Sequence, residues 1–173
     1  MTTTQHDMDL FVGLSSVLTG IDKMKLAPAL DPNNIKQVFY DCANSEDGAV
    51  LAQLLEIYDS CLVQNPATPD AVVAATVFQH SGPAVCFLAR AIMLSWYLGS
   101  WYRPADLALH HDAEPLPPAA LPPLSGRVIT AAAYTQGWAW NVAQAHPMGY
   151  SNFSFGYWAQ QPPALTDFTG EKK

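Results

Sequence analysis

The chain reads as an all-α protein: about five to six helices in one domain, followed by a long irregular C-terminal part rich in proline and aromatic residues. Three observations carry this reading. Apolar residues recur at helical spacing through the first hundred positions, caps and first-turn prolines punctuate them, and no stretch alternates apolar and polar residues as a half-buried strand would. The 173 residues fit a single domain, 1–173, with no internal repeat and no linker between two independent cores. Half of them are hydrophobic, enough for a sizeable core.

The first helix is capped by Asp7 or Asp9, carries Leu10, Phe11, Leu14 and Leu18 on one face, and stops at Gly20. Asp31-Pro32 then supplies a cap and a first-turn proline for a short second helix, in which Ile35, Val38, Phe39 and Cys42 fall at i, i+3, i+4 and i+7. The polar run Asn44-Ser45-Glu46-Asp47 breaks it. A third helix follows with a wide apolar face of Val50, Leu51, Leu54, Leu55, Tyr58, Cys61 and Leu62. Thr68-Pro69-Asp70 opens a fourth, from Ala71 to about Gln79, and Ser81-Gly82-Pro83 interrupts and restarts the helix through Tyr97.

From Arg103 the composition changes. Pro104, Pro115, Pro117, Pro118, Pro122 and Pro123 exclude a regular helix or a central strand, so residues 103–126 are expected to be an extended, proline-rich connection. Val128 to Trp140 has room for one short helix. Residues 144–173 have no apolar period and are expected to form an extended tail lying along a surface.

Composition narrows the function. Charged residues are only 13% of the chain, against roughly 25% in ordinary domains, which leaves little charge to coat a free surface and points to cover by another protein. The net charge is −7 and the eight Lys and Arg are dispersed, so nucleic acid is not an expected partner. No Gly-rich turn is placed to approach a pyrophosphate, and no G-x-S-x-G elbow is present; no catalytic, cofactor-binding or metal-binding residue is therefore assigned to this chain. Cys42, Cys61 and Cys86 are odd in number and far apart, which reads as free thiols on apolar helix faces, with burial quieting Cys86.

Two alternatives stay open. His110, His111, Asp112 and Glu114 are metal-ligand types and would make a small metal-dependent enzyme, although adjacent histidines do not share a face as an i, i+4 pair does. Residues 82–102 are apolar except for Arg90 and are long enough to consider as a membrane anchor. A central Arg costs about 2.5–3.5 kcal/mol on insertion, and the stretch ends in Gly99, Trp101 and Tyr102, so a buried core helix is the expectation.

Aromatic residues are conspicuous. Trp96, Tyr97, Trp101 and Tyr102 close the apolar helix, and Tyr134, Trp138, Trp140, Tyr150, Phe153, Phe155, Tyr157 and Trp158 crowd the end of the chain. Such residues bury large areas with few rotatable bonds and are enriched at interfaces.

Three short motifs in order span residues 11 to 159: Phe11-x-x-Leu14-Ser15-x-x-Leu18-Thr19-Gly20, Ala91-Ile92-x-x-x-Trp96-Tyr97-x-Gly99-x-Trp101, and Gly149-Tyr150 followed by Phe155-Gly156-Tyr157-Trp158-Ala159. In combination they resemble the small subunit of bacterial FAD-dependent sorbitol, fructose, gluconate and glucose dehydrogenases. The resemblance implies a non-catalytic chain that binds a large flavoprotein of the glucose-methanol-choline type. That partner holds the FAD and oxidises the sugar or polyol, often passing electrons to a cytochrome c subunit, with its haem c, at the membrane.

The small subunit of such complexes contributes folding, stability and often export of the large one. Membrane contact would come only through the complex, and Trp96, Trp101, Tyr150, Phe155 and Trp158 are the expected support and contact residues. Two departures stand out. Members often carry a twin-arginine signal, whereas Met1 to Asp9 is polar and acidic, so the implied periplasmic or inner-membrane-associated placement competes with a cytoplasmic one. Members also often have a cysteine after the Gly-Tyr pair that can bond to the large subunit, whereas this chain has Ser151.

Overall fold

The computed structural model describes residues 4–64, 69–112 and 124–147. The fold is all-α, as expected, and each helix begins and ends where local chemistry dictates. Helix α1, Gln5–Thr19, is capped by Thr4 rather than by Asp7 or Asp9. The Thr4 hydroxyl accepts from the Asp7 backbone N–H at 3.1 Å, and the Asp7 carboxylate accepts from the Thr4 backbone N–H at 3.1 Å, a reciprocal capping box. Sequence reasoning took the acid for the cap when it is the third residue of the box. Gly20 ends the helix as expected, at φ 71°.

A one-turn helix, α2 (Lys23–Leu26), leads into a non-helical connection up to Asn34, within which the Asp31 carboxylate accepts from the Ile35 N–H at 2.9 Å. Helix α3 runs from Ile35 to Gln64 with a kink at Asp47, where φ −157° and ψ 93° leave the helical region. The expected break is there, reduced to one residue. The Asp47 carboxylate accepts from the Ala49 and Val50 N–H groups at 3.1 and 3.0 Å, and so recaps the second half.

Helix α4, Pro69–Ala75, widens into a π-helical turn over Thr76–His80 before the break at Ser81 and Gly82. Helix α5, Pro83–Leu98, has its proline in the first turn and stops at Gly99, φ 62°.

Beyond α5 the structure corrects two expectations. Pro104 does not exclude a helix but starts one: α6, Pro104–Asp112, where a proline without an N–H costs nothing because the first-turn donors have no intrahelical partner. The extended connection therefore cannot begin at 103; residues 113–123 lie outside the described ones. Second, a two-residue antiparallel ladder joins β1 (Ser100–Trp101) to β2 (Arg127–Val128). Such a short pair carries no alternation pattern to read. The single short helix expected over 128–140 is divided into α7, Ala131–Thr135, and α8, Trp138–Val142. The tail expected over 144–173 lies almost wholly outside the described residues.

The core forms where α1, α3 and α5 pack on one another. Phe11, Leu14, Phe39, Leu51, Leu54, Tyr58, Leu88 and Ile92 are sealed inside. Helix α5 is central: α1, α3 and α6 all pack on it, and α7 and the start of α8 meet its C-terminal end. Cys42 and Cys61 are buried free thiols, as expected, and desolvation raises the Cys42 pKa against the opposing pull of Arg127. Cys86 is only half-buried rather than sealed in the apolar helix.

Candidate partner interface

Of the five expected support and contact residues, the structure describes two, and it buries both in the chain's own core. Trp96 is 3% exposed and meets Phe39 edge to face with centroids 4.7 Å apart. Trp101 is 4% exposed and donates its indole N–H to the Glu46 carboxylate at 3.1 Å, which ties the end of α5 to the kink of α3. Both are therefore core residues of this chain. Tyr150, Phe155 and Trp158 lie outside the described residues.

The two described motifs meet. Tyr97 donates from its hydroxyl to the Thr19 carbonyl at 2.7 Å, joining the last turn of α1 to the last turn of α5, and partial burial raises its pKa. In each motif a glycine in the left-handed region closes the helix, Gly20 and Gly99. Gly99 also carries a packing constraint, since a Cβ there would stand 2.3 Å from the Ala133 carbonyl oxygen and 2.5 Å from Tyr134 Cα. The second motif thus brings α7 against the end of α5.

Sequence reasoning missed a different surface. Beside its core-facing stripe, α5 carries Met93, Leu94, Tyr97 and Leu98, which with Arg90 and Leu107 of α6 line a shallow depression of about 390 Å³. Its lining is almost entirely apolar and half-buried. The signal was present: residues 90, 93, 94, 97 and 98 form a second helical stripe beside the buried stripe of Leu88, Ile92 and Trp96, and a helix apolar on two sides needs cover on both. Arg90 is accommodated at the edge, with its guanidinium 5.1 Å from the Phe87 ring centroid. This accounts for a cation in the most apolar helix without a membrane. Among the described residues no helix is long and apolar enough to cross one.

The metal alternative is not assembled by what is described. His110 and His111 are consecutive on α6 and so diverge around the helix, and the His111 ring stacks edge-on against Phe87 with centroids 5.5 Å apart. Asp112 ends the helix, while its side chain and Glu114 lie outside the described residues. Among the described residues no three His, Cys, Asp or Glu side chains are grouped to hold a metal ion.

No family model, curated protein or solved structure matches this chain. The class the fold defines is a small helical domain with one side of its central helix apolar and only partly covered.

Proposed function

We propose that the chain is the non-catalytic small subunit of an FAD-dependent sugar or polyol dehydrogenase complex, and that it binds and stabilises the flavin-bearing catalytic subunit. The observation that carries this reading is the apolar stripe of α5, Met93, Leu94, Tyr97 and Leu98 with Leu107, which the described part of the chain leaves half covered. Support comes also from the three motifs that resemble this family, and from the place of the first two, whose residues build the α1–α5 contact under that stripe.

The magnitudes set what such a surface can do. Completing the burial of five half-buried apolar side chains is worth about 4–7 kcal/mol. Association itself costs about 4–15 kcal/mol in lost freedom. Over most of that range the stripe does not cover the cost, so a tight complex needs further contact. A subunit that binds only the folded partner raises the partner's stability by mass action, and the benefit appears as folding yield rather than turnover per active site.

The test is expression of a large FAD-dependent dehydrogenase subunit from the same source, with and without this chain, followed by assay of FAD-loaded dehydrogenase with an artificial electron acceptor. The reading requires active flavoprotein on coexpression only, copurification of the two chains, and loss of both with Leu94→Asp. A large subunit that folds and works equally well alone refutes it.

A further inference from the structure

The apolar stripe of α5 also bears on the C-terminal segment of the same chain. From Arg90 to Leu98 the stripe is about 12 Å long, so an extended stretch of about four residues covers it. Arg90 is the one charged residue of its lining and already lies over the Phe87 ring, so the surface selects an uncharged, apolar occupant. Size decides how that occupant is delivered. A stable interface between separate chains takes about 20–30 residues on each side, whereas six line this depression. A segment of the same chain needs less, because its tether holds it near the surface at an effective concentration of about millimolar and removes much of the cost of association.

The chain supplies such a segment within reach. Helix α8 packs on α5, and just before it a Cβ on Gly137 would stand 2.8 Å from the Tyr97 carbonyl oxygen. Ten residues on, the described part of the chain ends at Pro147, which is buried and so still lies against the body. With α8 taking up five of those ten, Pro147 is within about 25 Å of Tyr97. Phe155, Tyr157 and Trp158 stand eight to eleven positions past Pro147, a reach of about 26–36 Å, so each can return to the stripe wherever Pro147 sits. Residues 148–166 carry no charged side chain and hold five aromatic ones, Tyr150, Phe153, Phe155, Tyr157 and Trp158. Their chemistry matches the lining of the stripe.

We propose that residues 148–166 of this chain occupy the α5 stripe in the free protein, with Phe155, Tyr157 and Trp158 supplying the rings set against Met93, Leu94 and Leu98. The inference concerns the surface used in the accessory-subunit reading without resting on that reading. It adds a consequence for it: a partner that takes the stripe first displaces the tail, and the aromatic segment so released becomes part of the surface it meets.

The experiment is photo-cross-linking of the purified full-length chain with p-benzoylphenylalanine introduced at position 94 or, as a control, in place of exposed Val63 near the end of α3, the products being mapped by mass spectrometry. Position 94 is expected to label residues 148–166 of the same molecule about tenfold more than position 63 does, the contrast between a segment that is docked and one that is only tethered. Phe155→Ser, Tyr157→Ser and Trp158→Ser together should lower the labelling from position 94 to the level seen from position 63. In chains without the photoprobe, the same three serines should raise the fluorescence of an added apolar dye, and Phe168→Ser, beyond the uncharged stretch, should not.

Equal labelling of the tail from positions 94 and 63, products that join two copies of the chain, or dye fluorescence unchanged by the three serines each overturn the inference. None of these results bears on copurification with a flavoprotein, so this inference and the accessory-subunit reading fail separately.

Discussion

The two glycines in the left-handed region provide a matched pair for testing how α7 is held against α5. Gly20 and Gly99 have nearly the same backbone conformation, φ 71° and 62°, and each closes a helix. Alanine at either position incurs the left-handed strain of about 1–2 kcal/mol. At Gly20 nothing stands within 4 Å of the added Cβ, so strain is the whole cost. At Gly99 the Cβ would lie 2.3, 2.4 and 2.5 Å from backbone atoms of Ala133 and Tyr134, which cannot rotate aside as a side chain can. Overpacking adds about 1–3 kcal/mol, for a total of about 2–5 kcal/mol.

A domain of this size loses about 2–4 °C in Tm per kcal/mol. Gly20→Ala is therefore expected to cost a few degrees, and Gly99→Ala to cost clearly more, with α7 and α8 loosened from α5. Chemical denaturation of both variants, with hydrogen exchange over residues 131–142, is the assay. Equal destabilisation by the two alanines would refute the reasoning, because the close approach would then carry no energy.

Three further outcomes follow from single interactions. Trp101→Phe removes the hydrogen bond to the Glu46 carboxylate and is expected to destabilise the chain by about 1–2 kcal/mol in urea unfolding, whereas Arg103→Ala, whose Nε is 3.9 Å from Glu46 on the surface, should change stability by under about 0.5 kcal/mol. In the native chain a small alkylating reagent should modify half-buried Cys86 ahead of Cys42, whose thiol is buried and whose pKa is raised; peptide mapping reads the order, and faster reaction at Cys42 would contradict the packing of α3. The Thr4 hydroxyl, and then its backbone N–H, hold the Asp7 carboxyl below its ordinary value of 3.8, so its contribution is complete above that pH and is lost as pH falls through the depressed value. Thermal melts should show a small, salt-sensitive deficit for Asp7→Asn at pH 5 that closes in stronger acid.

Most of the helical framework was legible because its signals are local. The i, i+3, i+4 spacing of Ile35, Val38, Phe39 and Cys42, the proline in the first turn of α5 and the glycines after α1 and α5 act within one or two turns of chain. The misplaced cap of α1 was also local, but two acids in one turn cannot be ranked without the backbone geometry that makes Asp7 the third residue of a box begun by Thr4. Pro104 has the same ambiguity: one residue type both ends and begins helices, and only the direction of the following chain decides which.

The sequence by itself determined a helical protein, a buried α5, free thiols at Cys42 and Cys61, and a surplus of aromatic residues. Each of these depends on residue type and period. Only the tertiary structure decided how that surplus is divided: Trp96 and Trp101 went inward against Phe39 and Glu46 of α3, and Met93, Leu94, Tyr97 and Leu98 were left half covered. A helix apolar around most of its circumference does not say which side its own chain will use. That choice is made by the contacts of α1, α3 and α6, formed between residues far apart in sequence, and no local pattern records it.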